Sequence, residues 1–273
     1  PKTGAQVMWN HLLRWRGEGR YYDFKGYIVQ ANGQISTTTG GDLWEKFPYY
    51  LKGGSPETHD GDYISLFLEY KAPARRKGEV LLVKDPLNQV DTPRKAWQYL
   101  VGQRRVRMAP TVAYDTPNPA FSGMATWDDA YMFNGALDRY DWKLLGKKEM
   151  YIPYNCYKAD GQYDPKEIYT AGHLNPDMLR WELHRVWVVE ADLKQGKRHI
   201  YARRVFLIDE DSWVLILCDS YDGRGSLWRS NMGPVLNAYD LPGVVQRLQV
   251  HYDLQRDQYA INNGQTEMPN VTV

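Results

Sequence analysis

Residues 180–221 read RWELHRVWVVEADLKQGKRHIYARRVFLIDEDSWVLILCDSY, and this stretch decides the fold. Apolar and aromatic residues recur at every second position or in short runs, the spacing of strands whose side chains point alternately to two faces. Strands are predicted from Met178 to Leu193, His199 to Asp209 and Ser212 to Tyr221. Lys194-Gln195-Gly196-Lys197 and Asp209-Glu210-Asp211 interrupt them with turn-forming residues.

The same texture extends outward on both sides. Downstream, Asp222-Gly223-Arg224-Gly225 is a further turn, followed by strands at Ser226 to Met232 and Gly243 to Ala260. Upstream, a strand is expected over Asp141 to Tyr157, and the meander DYISLFLEYKA from Asp62, Gly78 to Lys84 and Lys95 to Met108 is separated by segments carrying Pro73, Pro86 and Pro93. Arg20 to Ala31 alternates and runs into Asn32-Gly33, a strong hairpin-turn signal. Trp44 to Leu51 reads as a short helix or lid. Helices are expected in two places. Thr3 and Gln6 form a capping-box pattern ahead of Ala5, Met8, Trp9, Leu12 and Trp15, with Gly17 and Gly19 as the stop. Ala109 to Gly123 is a proline-bearing loop, after which Thr126 caps a short helix to Asn134 with Asp128 and Asp129 in its first turn. About ten strands and two helices make the chain mainly β.

Composition agrees. With 21 Tyr and 10 Trp, the chain is rich in side chains that suit half-buried sheet faces. Hydrophobic residues at 43% are enough for a sizeable core, and 273 residues fit one large β domain spanning 1–273. No run is long and apolar enough to read as a transmembrane segment. The formal net charge of +1 gives no global attraction to nucleic acid. The chain opens at Pro1 without an initiator methionine and is expected to be a processed or truncated part of a longer precursor. Cys156 and Cys218 show no metal or redox spacing; they read as buried thiols, with a disulfide between them left open.

Signals for catalysis are weak. Glu182, Asp209, Glu210 and Asp211 are the carboxylates a hydrolase would recruit, yet three of them share one turn, where acids are ordinarily solvated. The six histidines are scattered, with no zinc-protease spacing, and His184 reads as a strand-face residue. No phosphate-binding loop, nucleophile elbow or dinucleotide glycine pattern occurs. The expectation is a non-enzymatic chain without metal or cofactor. Gln103-Arg104-Arg105-Val106-Arg107 and Arg203-Arg204 match lipid headgroups or acidic partners, or else form a solvated strand face.

Four strings are long enough to be specific: GQRRVRMAPTVAYDTPNPAFSGMATWDDAYMFNG (102–135), DRYDWKLLGKKEMYIPYNCYK (138–158), RWELHRVWVVEADLKQGKRHIYARRVFLIDEDSW (180–213) and YDGRGSLWR (221–229). With them the chain resembles, over nearly its whole length, an uncharacterised domain-of-unknown-function family of Gram-negative envelope proteins grouped with the outer-membrane lipoprotein-sorting proteins LolA and LolB. The resemblance implies a strongly curved antiparallel sheet, an open half-barrel with a few helices over an apolar concave face. It implies a periplasmic carrier or chaperone that holds a lipid-like or hydrophobic molecule, lies peripheral to the membrane and serves an envelope transporter or outer-membrane protein. The alternative is an interaction module at the outer membrane whose groove its own helices fill. A groove needs a movable cover, and Ala109 to Asn134, with its Pro, Gly and Met, is the candidate. Trp97, Tyr99, Val101, Val106, Met124, Trp127, Met132, Phe133, Trp187 and Val189 are expected to line the groove, and Arg104, Arg105 and Arg107 to meet a headgroup or partner.

Overall fold

In the computed structural model, which describes residues 1–160 and 163–264, the chain begins with α1 (Gly4–Leu12) and continues almost entirely in strands. These are β1 (Gly19–Val29), β2 (Ile35–Lys46), β3 (Asp62–Ala72), β4 (Val80–Pro86), β5 (Lys95–Leu100), β6 (Arg105–Met108), β7 (Tyr140–Pro153), β8 (Trp181–Leu193), β9 (Arg203–Asp209), β10 (Leu215–Tyr221), β11 (Leu227–Met232), β12 (Val235–Ala238), β13 (Gly243–Gln246), β14 (Gln249–Asp253) and β15 (Gln258–Asn262). Thirteen strands form one sheet in the order β6-β5-β4-β3-β2-β1-β15-β14-β11-β10-β9-β8-β7, and β12 pairs with β13 outside it. Each pairing is antiparallel, and β6 and β7 remain free edges, so the sheet curls into an open half-barrel.

The α1 cap follows the sequence. Thr3 Oγ1 accepts from the Gln6 N–H at 3.2 Å, and Gln6 Oε1 accepts in return from the Lys2 N–H at 2.7 Å. The helix stops at Leu12, short of the expected Gly17, because the Trp15 ring leaves the helical path, packs edge-on against Tyr50 and donates to the Leu241 carbonyl. Val7, Met8, His11 and Leu12 are buried against the inner sheet face. Only glycine fits at position 4, where a Cβ would lie 3.0 Å from the β7 backbone and from Val189 Cγ1.

Two strand readings need correction. Lys95 to Met108 is not one strand: it folds back as the β5–β6 hairpin, turning through Val101–Arg104 with Arg104 at φ 49°. Gly243 to Ala260 is likewise three strands, because the segment Leu254–Asp257 reverses the chain between β14 and β15. Trp44–Lys46 belongs to β2, and only Pro48–Tyr50 makes a helical turn.

The sheet's two faces are covered unevenly. On the outer face, residues 154–160 and 163–179 pack Cys156, Ile168, Tyr169 and Leu174 onto Tyr27, Val29, Val250, Tyr259 and Ile261. The β12–β13 hairpin sets Val235 and Val244 against Ile152, Val186 and Ile216 of the β7–β10 wall. Inside, α1 covers Val189, Ala191, Phe206 and Ile208. Cys156 lies in the outer cluster and Cys218 in the inner one, both as free, buried thiols.

His11 fastens α1 at two points. Its Nδ1 accepts from the Leu215 N–H at 3.1 Å, which leaves Nε2–H to donate to the Phe133 carbonyl at 3.1 Å. Replacing His11 by Ala orphans both buried groups and is expected to reduce stability by roughly 2–4 kcal/mol. The urea midpoint should fall at unchanged m-value.

Candidate functional site

Between β6 and β7 the chain crosses the inside of the half-barrel as a lid, residues 109–134. Its helical turns are short, Pro119–Phe121 and Trp127–Met132, and the second is broken at Ala130. Ser122, Tyr131 and Met132 all have positive φ, a conformation that non-glycine residues keep only when their surroundings hold it. Side chains do the holding here.

The centre of that restraint is buried. Asp129 Oδ1 accepts from Arg204 of β9 at 2.6 Å, and its Oδ2 accepts from Tyr201 Oη at 2.9 Å and from the Thr126 N–H at 2.8 Å. Asp128 Oδ2 accepts from His199 Nε2 at 3.0 Å and lies 3.4 Å from Arg204 Nη1. His199 Nδ1 accepts from the Tyr201 N–H, so the proton sits on Nε2. Burial opposes ionisation of Asp128, but the hydrogen bond from His199 and the Arg204 guanidinium outweigh it and hold the carboxyl well below the usual range. Arg229 of β11 donates to Tyr201 Oη and to the Gly123 carbonyl, Gln249 of β14 accepts from the Tyr131 N–H, and Thr38 of β2 donates to the Ala120 carbonyl. At the lid's far end Asn134 is held by Tyr63, Asp85 and Arg94.

Beneath the lid the inner wall has two halves. Across β1 to β4 it is apolar, made by Tyr22, Leu43, Leu66, Leu68, Leu81 and Val83, and it faces Trp127, Ala130 and Tyr131 across a hollow of 80 Å³ whose polar margin is Arg94, Asn118, Asn134, Gln249, Asn262 and Asn263. Across β9, β11 and β14 it is polar: Arg204, Arg229, Asn231, Gln249, His251 and Asp253 are all buried there. The Phe121 ring of the lid lies edge-on to His251 at 5.0 Å.

The residues predicted from sequence divide sharply. Trp127 borders the hollow. Met124, Met132 and Phe133 are lid side chains packed into the interior, and Val189 with half-buried Trp187 lies on the inner face in the α1 cluster. Trp97, Tyr99 and Val106 are on the other face. Trp97 pairs with Leu82 and Met108, and Tyr99 with Val80 and Val106, whereas it is the alternate residues Ala96, Leu81 and Val83 that point inward. Val101 is exposed in the β5–β6 turn, and Arg104, Arg105 and Arg107 are exposed along that hairpin. Arg204 is buried, in contrast to the half-exposed Arg203 beside it, and belongs to the lid restraint. The sequence reading missed the apolar wall of β1 to β4, although Ile64-Ser-Leu-Phe-Leu-Glu-Tyr70 carried its alternation.

The turn acids have structural partners. Asp209 Oδ2 accepts from the Ser212 N–H and hydroxyl, and its Oδ1 is 3.0 Å from His184 Nδ1. Glu210 pairs with Lys147 and Arg185 at the surface, and Glu182 accepts from Asn155. Among the described residues, His184, Asp209 and Asp211 have the spacing to hold a cation, but the His184–Asp209 and Ser212–Asp209 bonds already use both Asp209 oxygens.

Half-barrel, inner lid and free sheet edges together define a LolA-like fold. The chain belongs to the family described as "Protein of unknown function (DUF1329)", whose model matches residues 1–273. The uncharacterized protein PA3922 of Pseudomonas aeruginosa is 46% identical over 263 residues, which span 95% of this chain and 57% of that relative's length. A solved DUF1329 family protein from Desulfovibrio piger is similar with a TM-score of 0.60 at 14% identity, over 95% of this chain and 87% of its own. A Vibrio parahaemolyticus domain described as outer membrane lipoprotein-sorting gives 0.64 at 13% identity, over 98% and 91%. A LolA superfamily protein from Nitrosomonas europaea gives 0.55 at 10%, over 99% and 92%. At such identities the structures establish the fold.

Burial pushes the His251 imidazole from 6.5 down to about 4 and lowers His11 as well, the latter with help from Arg14 and Arg16. A depressed pKa gives stability that is complete above the unfolded value and is lost as pH falls toward the folded one. Stability should therefore decline between pH 6.5 and 4, His251 alone accounting for roughly 3 kcal/mol. Urea melts at pH 7 and 4.5 check this: His251→Asn should lose less between the two than wild type.

Proposed function

We propose that this protein is a periplasmic carrier or chaperone that takes a lipid-like or hydrophobic molecule onto the apolar wall of its half-barrel when the lid lifts, and delivers it to an envelope partner. The observation that carries the reading is the apolar hollow enclosed between β1–β4 and Trp127, Ala130 and Tyr131. At 80 Å³ it is far smaller than the roughly 300–1,000 Å³ of ordinary ligand sites, so cargo enters only by displacing the lid. A lid made of short turns and positive-φ residues, hung on side-chain bonds, suits that movement. The LolA-like fold supports the same reading by analogy. Among the described residues no helix is long and apolar enough to cross a membrane, consistent with a peripheral role.

A separate observation favours a second reading, an interaction module. On the outer face Tyr21, Trp44, Phe67, Leu82, Trp97 and Met108 lie opposite one another across β1 to β6, and among the described residues neither the outer cluster around Cys156 and Ile168 nor the β12–β13 hairpin packs on them. Trp44, Phe67 and Met108 are exposed. An apolar band of this kind marks a contact surface.

Uptake of the dye 1-N-phenylnaphthylamine, with lipid extraction of the purified protein, tests the first reading. Wild type should bind the dye, and Trp127→Ala, which thins the roof, should bind several-fold more. Absence of both extracted amphiphile and dye uptake in either protein would sink the carrier reading and leave the outer band as the working surface.

A further inference from the structure

The polar half of the inner wall is unlike an ordinary core. Asn231 is fully buried, and neither of its amide atoms has a hydrogen-bond partner; the same is true of both nitrogens of the fully buried His251. The two face each other in register on β11 and β14. In the adjacent row Arg204 pairs with Ser220, Ser220 with Arg229 and Arg229 with Asp253, and the Nε atoms of both arginines also lack hydrogen bonds, that of Arg229 standing 3.8 Å from Asp253 Oδ2. Buried polar groups are nearly always satisfied, because an unpaired one forfeits its hydration without return. Four such side chains on one face, all beneath one movable segment, mark a surface built to be met by something other than the Phe121 ring that now rests on it.

Charge identifies what. With the lid down, Arg204 and Arg229 are faced by Asp128, Asp129 and Asp253. Lifting the lid removes Asp128 and Asp129 and leaves two guanidinium groups against a single carboxylate. Guanidinium pairs best with carboxylate or phosphate oxygens. The hollow beside the apolar wall of Tyr22, Leu43, Leu81 and Val83 is also lined by Gln249, two residues from His251 on β14, and by Phe121, whose ring separates it from His251.

We infer that Arg204, Arg229, Asn231 and His251 form the head-group site for an anionic amphiphile, whose chain lies along the β1–β4 wall and whose anionic group replaces the Asp128–Asp129 pair of the lid. The lid acids are thus an internal stand-in for the ligand head, and ligand and lid compete for the same arginines. This rests on the carrier reading and specifies its ligand class.

The test compares cis-parinaric acid with its methyl ester, two fluorescent probes with one chain and different heads. Wild type should prefer the acid by about tenfold, the discrimination of one charged hydrogen bond. Asp129→Asn, with one stand-in charge removed, should bind the acid more tightly still. Asn231→Leu removes an unpaired amide and should fold at least as well as wild type while losing much of the preference for the acid. Folding is checked by circular dichroism; if Asp129→Asn does not fold, wild type and Asn231→Leu decide between them. Equal binding of acid and ester by wild type overturns the head-group site and leaves the carrier reading standing. Binding of neither probe by any folded variant overturns both.

Discussion

The buried meeting of Asp128 and Asp129 with Arg204 is the constraint on which the interior depends. The lid has almost no backbone ladder of its own, only the bridge between Pro117 and Thr126, so its position is set by where its side chains find partners. A buried ion pair adds little net stability, since desolvating the charges offsets most of their attraction. Its value lies in specification. In this placement the two acids share a cation, a phenol and an imidazole. The neighbouring bonds to Thr38, Gln249 and Arg229 then follow from that position.

One face of one sheet is therefore divided between two chemistries. Over β1 to β4 the inner wall is leucine, valine and tyrosine; over β11, β14 and the Arg204 end of β9 it is arginine, asparagine and histidine. Such a division serves no purpose in a core filled only by hydrocarbon, where apolar residues pack without unpaired groups. It matches a guest with two ends. Interior closure and ligand binding are, on this view, two occupancies of the same surface, and the chain fills it when nothing else does.

How much of this was legible in the sequence depends on range. Alternation exposed most strands, because a half-buried strand writes its two faces directly into its residues. The first half of β2 left no such trace: after Ile35 the run Ser36-Thr-Thr-Thr-Gly-Gly41 has no large apolar side chain. Alternation also cannot say which face is inner. In β4 the run Val80-Leu81-Leu82-Val83 is apolar on both sides, and so Trp97 and Tyr99, in register with its outer residues, were expected inside. The lid restraint was out of reach for another reason. Asp128 and Asp129 look like ordinary helix-start acids, and Arg203 and Arg204 are the same residue type, yet one stacks on Tyr221 at the surface while its neighbour is fully enclosed. Only pairing across the long separation from residue 129 to residue 204 distinguishes them.

The seam between β1 and β15 has its own consequence. Six strands from the beginning of the chain and the seven from its later part are joined only there, through Tyr27, Ile28 and Val29 opposite Ile261, Ala260 and Tyr259. Contacts so distant along the chain form slowly, since closing so large a loop is entropically unfavourable before any bond rewards it. The early strands can pair among themselves as they emerge, but β1 keeps one side bare until Gln258–Asn262 arrives. The two halves of the sheet therefore cannot join until the chain has extended through Gln258–Asn262.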